Sequence, residues 1–154
     1  MDSGRQGALT STDLYVLDAS VAIKWVLNGE SLEAEANKLR DDLLSGSVEV
    51  CAPSLIMHEV ANSLWKAIRQ KRITPTDANE ALKSFCQAQI DIQEVTLEQA
   101  LRELEIAYQI GVTAYDATYL ALNERNKATF VTADDQLFKR AKEHFRVVHL
   151  RDYV

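Results

Sequence analysis

Asp18 is the first of four carboxylates that stand where a folded chain could bring them together. It directly follows residues 14–17, a mostly apolar run with the character of a buried strand. An aspartate at the end of a buried strand is unusual, because an isolated buried charge is strongly disfavoured unless another group pairs with it. Ligands and chemistry in open α/β sheets are found at the carboxyl ends of the strands. Asp18 therefore predicts a functional site at that edge of a sheet.

The other three carboxylates each have an ordinary structural interpretation when taken alone. Glu59 falls at the edge of an apolar helical stripe, where a glutamate commonly lies in solvent. Asp116 follows Thr113 in a Thr-x-x-Asp sequence that resembles a capping box. Asp134 is a favourable N-cap residue for the helix that follows it, and its neighbour Asp135 is an alternative in any role given to Asp134. Only their combined placement suggests chemistry.

Short apolar strands alternate with helical segments along the chain, which is typical of βαβ units and a central, mostly parallel sheet. Strands are predicted at 14–17, 48–52, 90–95, 128–132 and 146–150. Helices are predicted at about 20–27, 32–44, 55–71, 75–89, 97–110, 114–124 and 135–144. Their predicted N-caps include Ser31, Ser54 and Thr96. The fold class is therefore α/β, with helices on both faces of the sheet.

In this arrangement the four carboxylates are expected to lie close together at one edge of the sheet. Asp18 and Asp134 both leave strands at the carboxyl edge, Asp116 begins a helix, and Glu59 lies one to two turns into a helix that follows a strand. Two unit charges about 4 Å apart repel by about 4 kcal/mol at an effective dielectric near 20, so such a cluster needs a cation or bound protons. Oxygen ligands favour Mg²⁺ or Mn²⁺ over zinc.

The composition fits a single folded domain. The chain has 154 residues, of which 47% are hydrophobic and 26% are charged. Its net charge of −6 argues against simple electrostatic binding of nucleic acid.

We predict a disordered tail at 1–13, without a signal peptide, and one domain at 14–154. No apolar run approaches the roughly 20 residues of a membrane span, so we expect a cytoplasmic protein. Cys51 and Cys86, among apolar residues, are expected to be buried thiols.

Four segments of the sequence resemble the PIN domain family, in particular the VapC-type toxins of toxin–antitoxin pairs. They are VLDAS at 16–20, APSL at 52–55 continuing to EVAN at 59–62, YDA at 115–117 continuing to YLA at 119–121, and VTAD at 131–134. The resemblance implies a three-layer α/β/α PIN-like fold. The acids of the family correspond to Asp18, Glu59, Asp116 and Asp134, and its hydroxyls to Ser20 and Thr132. Ser20 could instead be a helix N-cap and Thr132 an ordinary strand residue.

The resemblance also implies an activity and partners. The expected activity is that of a metal-dependent endoribonuclease, in which the four acids hold Mg²⁺ or Mn²⁺ and the metal lowers the pKa of a water. The expected partners are an RNA substrate, single-stranded or looped, a cognate antitoxin protein and a second copy of the chain in a homodimer. Phosphates could be contacted by the basic residues Lys24, Lys66, Arg69, Lys71 and Arg72, although cations in a last helical turn also suit the helix dipole.

Aromatic residues are candidates for an interface, although aromatics at helical spacing are more often core. They are Trp65, Tyr108, Tyr115 and Tyr119.

Two other classes of protein remain possible from the sequence. A receiver-type signalling domain requires two adjacent acids after an early strand and a lysine at the end of a late one, whereas here Asp18 stands alone and Leu150 ends the last predicted strand. A non-catalytic PIN-like module that only binds proteins usually lacks one of the acids, and this chain has all four.

Overall fold

A five-stranded parallel sheet forms the centre of the computed structural model, which describes residues 12–154. The strands are β1 (Asp13–Leu17), β2 (Val48–Pro53), β3 (Ile90–Gln93), β4 (Thr129–Thr132) and β5 (Val147–His149). Their order across the sheet is β3-β2-β1-β4-β5, so the first strand of the chain is the central one. Every neighbouring pair is parallel, which confirms the predicted α/β fold with a central parallel sheet.

Seven α-helices flank the sheet in the described part of the chain. They are α1 (Ala19–Val26), α2 (Glu33–Leu44), α3 (Leu55–Arg69), α4 (Pro75–Cys86), α5 (Leu97–Ile110), α6 (Ala114–Asn126) and α7 (Asp135–Ala141), and a short 3₁₀ turn follows at Leu150–Asp152. Helix α6 is buried from Ala117 to Asn123 and contacts β1, β2 and β4. It therefore lies directly against the middle of the sheet and fixes its first turn beside the end of β1.

The predicted domain boundary lies close to the first strand. The predicted tail falls outside the described residues except for Thr12 and Asp13, and Asp13 already belongs to β1. Most other ends differ from the prediction by one to three residues, as is common for helix and strand termini. No helix of residues 12–154 is long and apolar enough to pass through a lipid bilayer.

Two of the predicted N-caps are wrong. The residue before α2 is Leu32, in a left-handed conformation (φ 57°), and Ser31 instead lies within 3.5 Å of the Lys24 ammonium. Ser54 precedes α3 but caps no backbone N–H, because its hydroxyl donates to Glu94. By contrast, Thr96 accepts from the backbone of the third helical residue and forms a complete capping box at the start of α5. Local caps form where no longer-range partner takes the hydroxyl.

Cys51 is buried, as predicted, but Cys86 is exposed, so that prediction is wrong. Cys86 is the last residue of α4, where the preceding Phe85 takes the buried position and packs against Trp25. The apolar spacing of α5 predicted the helix correctly, and α5 covers one face at Glu103 and Ile106, but several of its apolar residues lie outside that face. Its exposed large apolar side chains are Leu97, Leu101, Leu104 and Tyr108.

Candidate active site

Asp18 lies at the carboxyl end of the central strand, at the N-cap position of α1, and only 5% of it is exposed. The sequence places it there because β1 ends in the fully buried pair Val16 and Leu17, after which the chain turns at once into a helix. Burial raises the pKa of Asp18 from 3.8 to about 6. The charges of Asp116 and Asp134 contribute to this rise, and the hydrogen bonds from Ser20 and Thr132 oppose it. A carboxylate in this position is costly for the protein unless a cation or proton compensates its charge.

The two hydroxyls singled out in the sequence both donate to Asp18. Ser20 Oγ lies 2.6 Å and Thr132 Oγ1 lies 2.7 Å from Asp18 Oδ2. Thr132 is brought there by sheet register, because Leu17 pairs with Val131 and the next residues of β1 and β4 therefore stand side by side. The same hydroxyls accept from the backbone N–H groups of Ala133 and Asp134 at 2.9 and 3.0 Å. One network thus ties the end of β1 to the turn that carries Asp134.

Glu59 lies in the second turn of α3 and is partly buried, on the side of the helix that faces the site. Tyr119 OH donates to Glu59 Oε1 over 3.2 Å. The pKa of Glu59 is raised to about 7, mainly by burial and also by the nearby charges of Asp18 and Asp116, while the hydrogen bond from Tyr119 opposes the rise. Glu59 is therefore neither fully exposed nor fully buried, and its carboxylate takes part in a hydrogen bond with a buried tyrosine.

Asp116 occupies the first turn of α6, and its backbone N–H donates to Thr113 Oγ1 over 3.0 Å. The capping interaction expected from the sequence is present, and it uses only the main chain of Asp116. The carboxylate is left partly exposed, and burial together with the charge of Asp134 raises its pKa. The structural role and a ligand role are compatible in this residue because they involve different atoms.

Asp134 and Asp135 have different surroundings. Asp134 Oδ1 caps α7 by accepting from the backbone of Gln136 and Leu137 at 2.9 and 3.0 Å. Asp135 Oδ1 lies 2.8 Å from Nε2 of the buried His149. Since His149 Nδ1 accepts from a backbone N–H, its Nε2 carries the proton and donates to Asp135. Asp134 is therefore the acid whose charge raises the pKa of Asp18, whereas Asp135 is hydrogen-bonded to His149.

The four carboxylates form one electrostatic unit. The charge of Asp18 raises the pKa of Glu59, and the charge of Asp116 raises the pKa of both Asp18 and Glu59. The charge of Asp134 raises the pKa of Asp18 and of Asp116. Within residues 12–154 no group of three or more His, Cys, Asp or Glu side chains is placed as a ready-made metal cage. Four mutually repelling carboxylates are expected to stand apart when no cation bridges them. The donor set is made only of oxygen atoms and fits Mg²⁺ or Mn²⁺.

A cleft of about 340 Å³ opens beside two of these carboxylates. Its lining residues come from one face of α3 and from the first turn of α6, and they are Leu55, His58, Glu59, Asn62, Tyr115 and Asp116. Tyr115, His58 and Asn62 are exposed, so the cleft is reached from solvent. Glu59 and Asp116 therefore border a cleft that is open to solvent.

The basic residues proposed for phosphate contact differ in their availability. Arg72 is paired with Glu30 over 3.1 Å, and Lys24 is buried. Lys66 and Arg69 are exposed and form no ion pair with any residue in the described part of the chain. The Arg69 guanidinium stacks 4.9 Å above the Trp65 ring. Lys66 and Arg69 continue the α3 face that lines the cleft, because they follow Asn62 at helical spacing.

The sequence interpretation missed the role of Tyr119. We considered it for an interface, but it is almost fully buried and holds Glu59, whereas Trp65, Tyr108 and Tyr115 are exposed. The available signal was its spacing, because a residue three positions after Asp116 lies on the same side of α6. The pairing of His149 with Asp135 had no comparable signal, since it joins two elements that are separate in the sequence.

Several known proteins are similar to this chain in sequence or in fold. The profile of the PIN domain family matches residues 15–143. Ribonuclease VapC3 from Pyrobaculum aerophilum is 30% identical over 127 residues, which cover 81% of this chain and 92% of that protein. The solved structure of PAE2754, also from Pyrobaculum aerophilum, is similar with a TM-score of 0.69 at 23% identity, over 90% of this chain and 92% of its own. A toxin–antitoxin complex from Klebsiella pneumoniae contains a similar chain, with a TM-score of 0.61 at 17% identity over 88% and 97% of the two chains.

Proposed function

Because the chain belongs to the PIN domain family, we propose that it is an endoribonuclease whose Asp18, Glu59, Asp116 and Asp134 hold Mg²⁺ or Mn²⁺. The observation that carries this proposal is the buried Asp18 at the end of the central strand, whose pKa is raised by burial and by the charges of two of the other acids. Such an arrangement lowers the stability of an empty protein and becomes favourable when a cation binds. The similarity to a relative named as a ribonuclease supports RNA as the substrate.

In the proposed activity, some residues act as metal ligands and others hold those ligands in position. A bound divalent cation supplies Lewis-acid chemistry, by making water more acidic and by neutralising charge on the phosphate. Asp18 is held in one orientation by Ser20 and Thr132, and Glu59 by Tyr119. These hydrogen bonds restrict the orientations of the Asp18 and Glu59 carboxylates, so a cation that draws the four acids together has fewer side-chain conformations to fix. No side chain of the chain has to form a covalent intermediate in this mechanism.

Lys66 and Arg69 are proposed to contact the RNA backbone beyond the cleft. They are exposed cations without an ion-pair partner in the described chain, and they lie on the same helix face as Glu59. Contacts with phosphate would place the strand along α3, and local positive charge is needed because the protein as a whole carries a net charge of −6.

We further propose that the protein is the toxin of a toxin–antitoxin pair, acts in the cytoplasm on cellular RNA, and assembles as a homodimer. The similarity in fold to a chain of a toxin–antitoxin complex supports an antitoxin partner. A nuclease that acts on RNA of its own cell also requires an inhibitor while the cell is growing. The expected partner is therefore a protein produced together with this chain.

The proposal is tested by titrating Mn²⁺ calorimetrically into the wild-type protein and Asp116→Asn, and by incubating both with a mixed RNA pool. Asp116→Asn is expected to lose cleavage and most of its Mn²⁺ affinity while it keeps its fold. Asp77→Asn is a matched control, because Asp77 occupies the first turn of α4 and its N–H donates to Thr74 as that of Asp116 does to Thr113. A folded wild-type protein that binds no Mn²⁺ and cleaves no RNA would contradict the proposal and favour a non-catalytic binding module.

A further inference from the structure

The cleft beside Glu59 and Asp116 is also lined by four residues that are neither acids nor Lys or Arg. On α3, Leu55, His58 and Asn62 share a face with Glu59, because they are spaced at i, i+3, i+4 and i+7 from Leu55. Tyr115 closes the opposite side from α6. The cleft therefore combines an aromatic ring and an aliphatic side chain with an imidazole and an amide, next to two carboxylates.

Tyr115 is unusually exposed for a ring next to a functional residue, since 69% of its surface is accessible. A single exposed aromatic on a protein surface needs no special explanation. This ring, however, lines the same cleft as Glu59 and Asp116. Any flat group that stacks on Tyr115 is held within reach of the carboxylates that would bind the metal.

The charge of the cleft restricts what can occupy it. No Lys or Arg side chain lines the cleft, so no such cation would hold a phosphate group there, and a phosphate nearby would depend on the metal ion held by the acids. A nucleobase is uncharged and flat, and proteins recognise unstacked RNA bases by stacking on aromatic rings and by hydrogen bonds to the base edges. The volume of about 340 Å³ is at the small end of the range for ligand pockets, which suits one base better than several.

We propose that this cleft is a nucleobase-binding subsite that receives the base next to the phosphate being cleaved, with Tyr115 as the stacking platform. The inference rests on the proposed ribonuclease function and adds the form of the substrate to it. His58 and Asn62 provide hydrogen-bonding groups for the base edge, so they select among bases. A base can enter the cleft only when it is unpaired, and the substrate is therefore single-stranded at the cut position.

The test compares Tyr115→Leu, which removes the π face but keeps an apolar side chain, with Tyr115→Phe, which keeps the face. A 12-nucleotide single-stranded RNA of randomised sequence serves as substrate with Mn²⁺, and the bases beside each cut are read by sequencing. Tyr115→Leu is expected to raise KM by about 5- to 150-fold, the range for loss of one stacked base. Its kcat and its calorimetric Mn²⁺ affinity are expected to stay near the wild-type values, and Tyr115→Phe is expected to behave as the wild type.

Asn62→Ala provides a second, independent measurement. It is expected to change which base is found beside the cut without changing Mn²⁺ affinity, because it alters only the group that faces the base edge. A Tyr115→Leu protein with wild-type KM and wild-type base preference would overturn the subsite while leaving the nuclease in place. A loss of Mn²⁺ affinity equal to the rise in KM would also overturn it, since the ring would then support the metal ligands. A wild-type protein that cleaves no RNA would overturn both proposals.

Discussion

Replacement of Asp18 by asparagine is expected to make the metal-free protein more stable and at the same time inactive. The carboxylate is 5% exposed and lies among other acids, so its ionised form is unfavourable in the folded protein. Asparagine has the same shape, and its amide oxygen can accept the hydrogen bonds from Ser20 and Thr132 that Asp18 Oδ2 now accepts. The substitution therefore removes the buried charge with little change in packing.

The magnitude follows from the pKa of Asp18. Its rise from 3.8 to about 6 corresponds to about 3 kcal/mol at pH values above both, at about 1.36 kcal/mol per pKa unit. Since the folded protein holds this proton more tightly than the unfolded chain, the free energy of unfolding falls as the pH rises from about 4 to about 6. We expect Asp18→Asn to be more stable by about 1–3 kcal/mol at pH 8, allowing for imperfect placement of the new amide. The difference should disappear near pH 4.

Urea unfolding in the presence of EDTA at several pH values measures this difference, with Asp77→Asn as the control for the same chemical change at an exposed carboxylate. Addition of Mn²⁺ at 1,000 times its Kd should reverse the order, because it stabilises the wild type by about 4.1 kcal/mol and the variant lacks a ligand atom. If Asp18→Asn were less stable than the wild type in EDTA at pH 8, or if the difference did not vary with pH, the reasoning about the buried charge would be refuted.

Three further predictions concern the same site and its surroundings. Mn²⁺ affinity should increase between pH 6 and pH 8, because Glu59, whose pKa is about 7, must lose its proton to act as a ligand; calorimetry in buffers of different ionisation enthalpy should show protons released on binding. The affinity of the double variant Lys66→Gln, Arg69→Gln for single-stranded RNA should depend less on salt. The slope of log Kd against log salt concentration should fall by about 1.4, which corresponds to two lost phosphate contacts. An unchanged slope would exclude phosphate contacts by these residues. Asp134→Asn should weaken Mn²⁺ binding whereas Asp135→Asn should not, because Asp135 is engaged with His149; equal losses in a calorimetric titration would contradict this assignment.

Features that depend on neighbouring residues were predictable from the sequence. The strand that ends at Asp18 was evident because four mostly apolar residues precede an acid, and the caps at Thr96 and Thr113 follow from residues three positions apart. The fold class follows from the alternation of strands and helices. These signals are local, so they need no knowledge of which strands become neighbours.

Features that depend on contacts across the fold were not predictable in the same way. The hydrogen bond from Tyr119 to Glu59 and that between His149 and Asp135 require the positions of separate elements. Hydroxyls such as that of Ser54 take more distant partners instead of capping their helices. The exposed apolar side chains of α5 show another limit, since helical periodicity reveals that a stripe exists but not whether the same chain covers it.

The position of β1 in the middle of the sheet determines when the surroundings of Asp18 form during synthesis and folding. β1 leaves the ribosome early, yet it lies between β2 and β4, and Thr132 reaches Asp18 across a sequence separation of 114 residues. Contacts of such high sequence separation form late, since the intervening chain must lose its conformational freedom before they can form. A nascent chain that has not yet produced β4 cannot hold Asp18 in its final orientation. The hydrogen bond between Thr132 and Asp18 therefore forms only after β4 has been synthesised and has paired with β1.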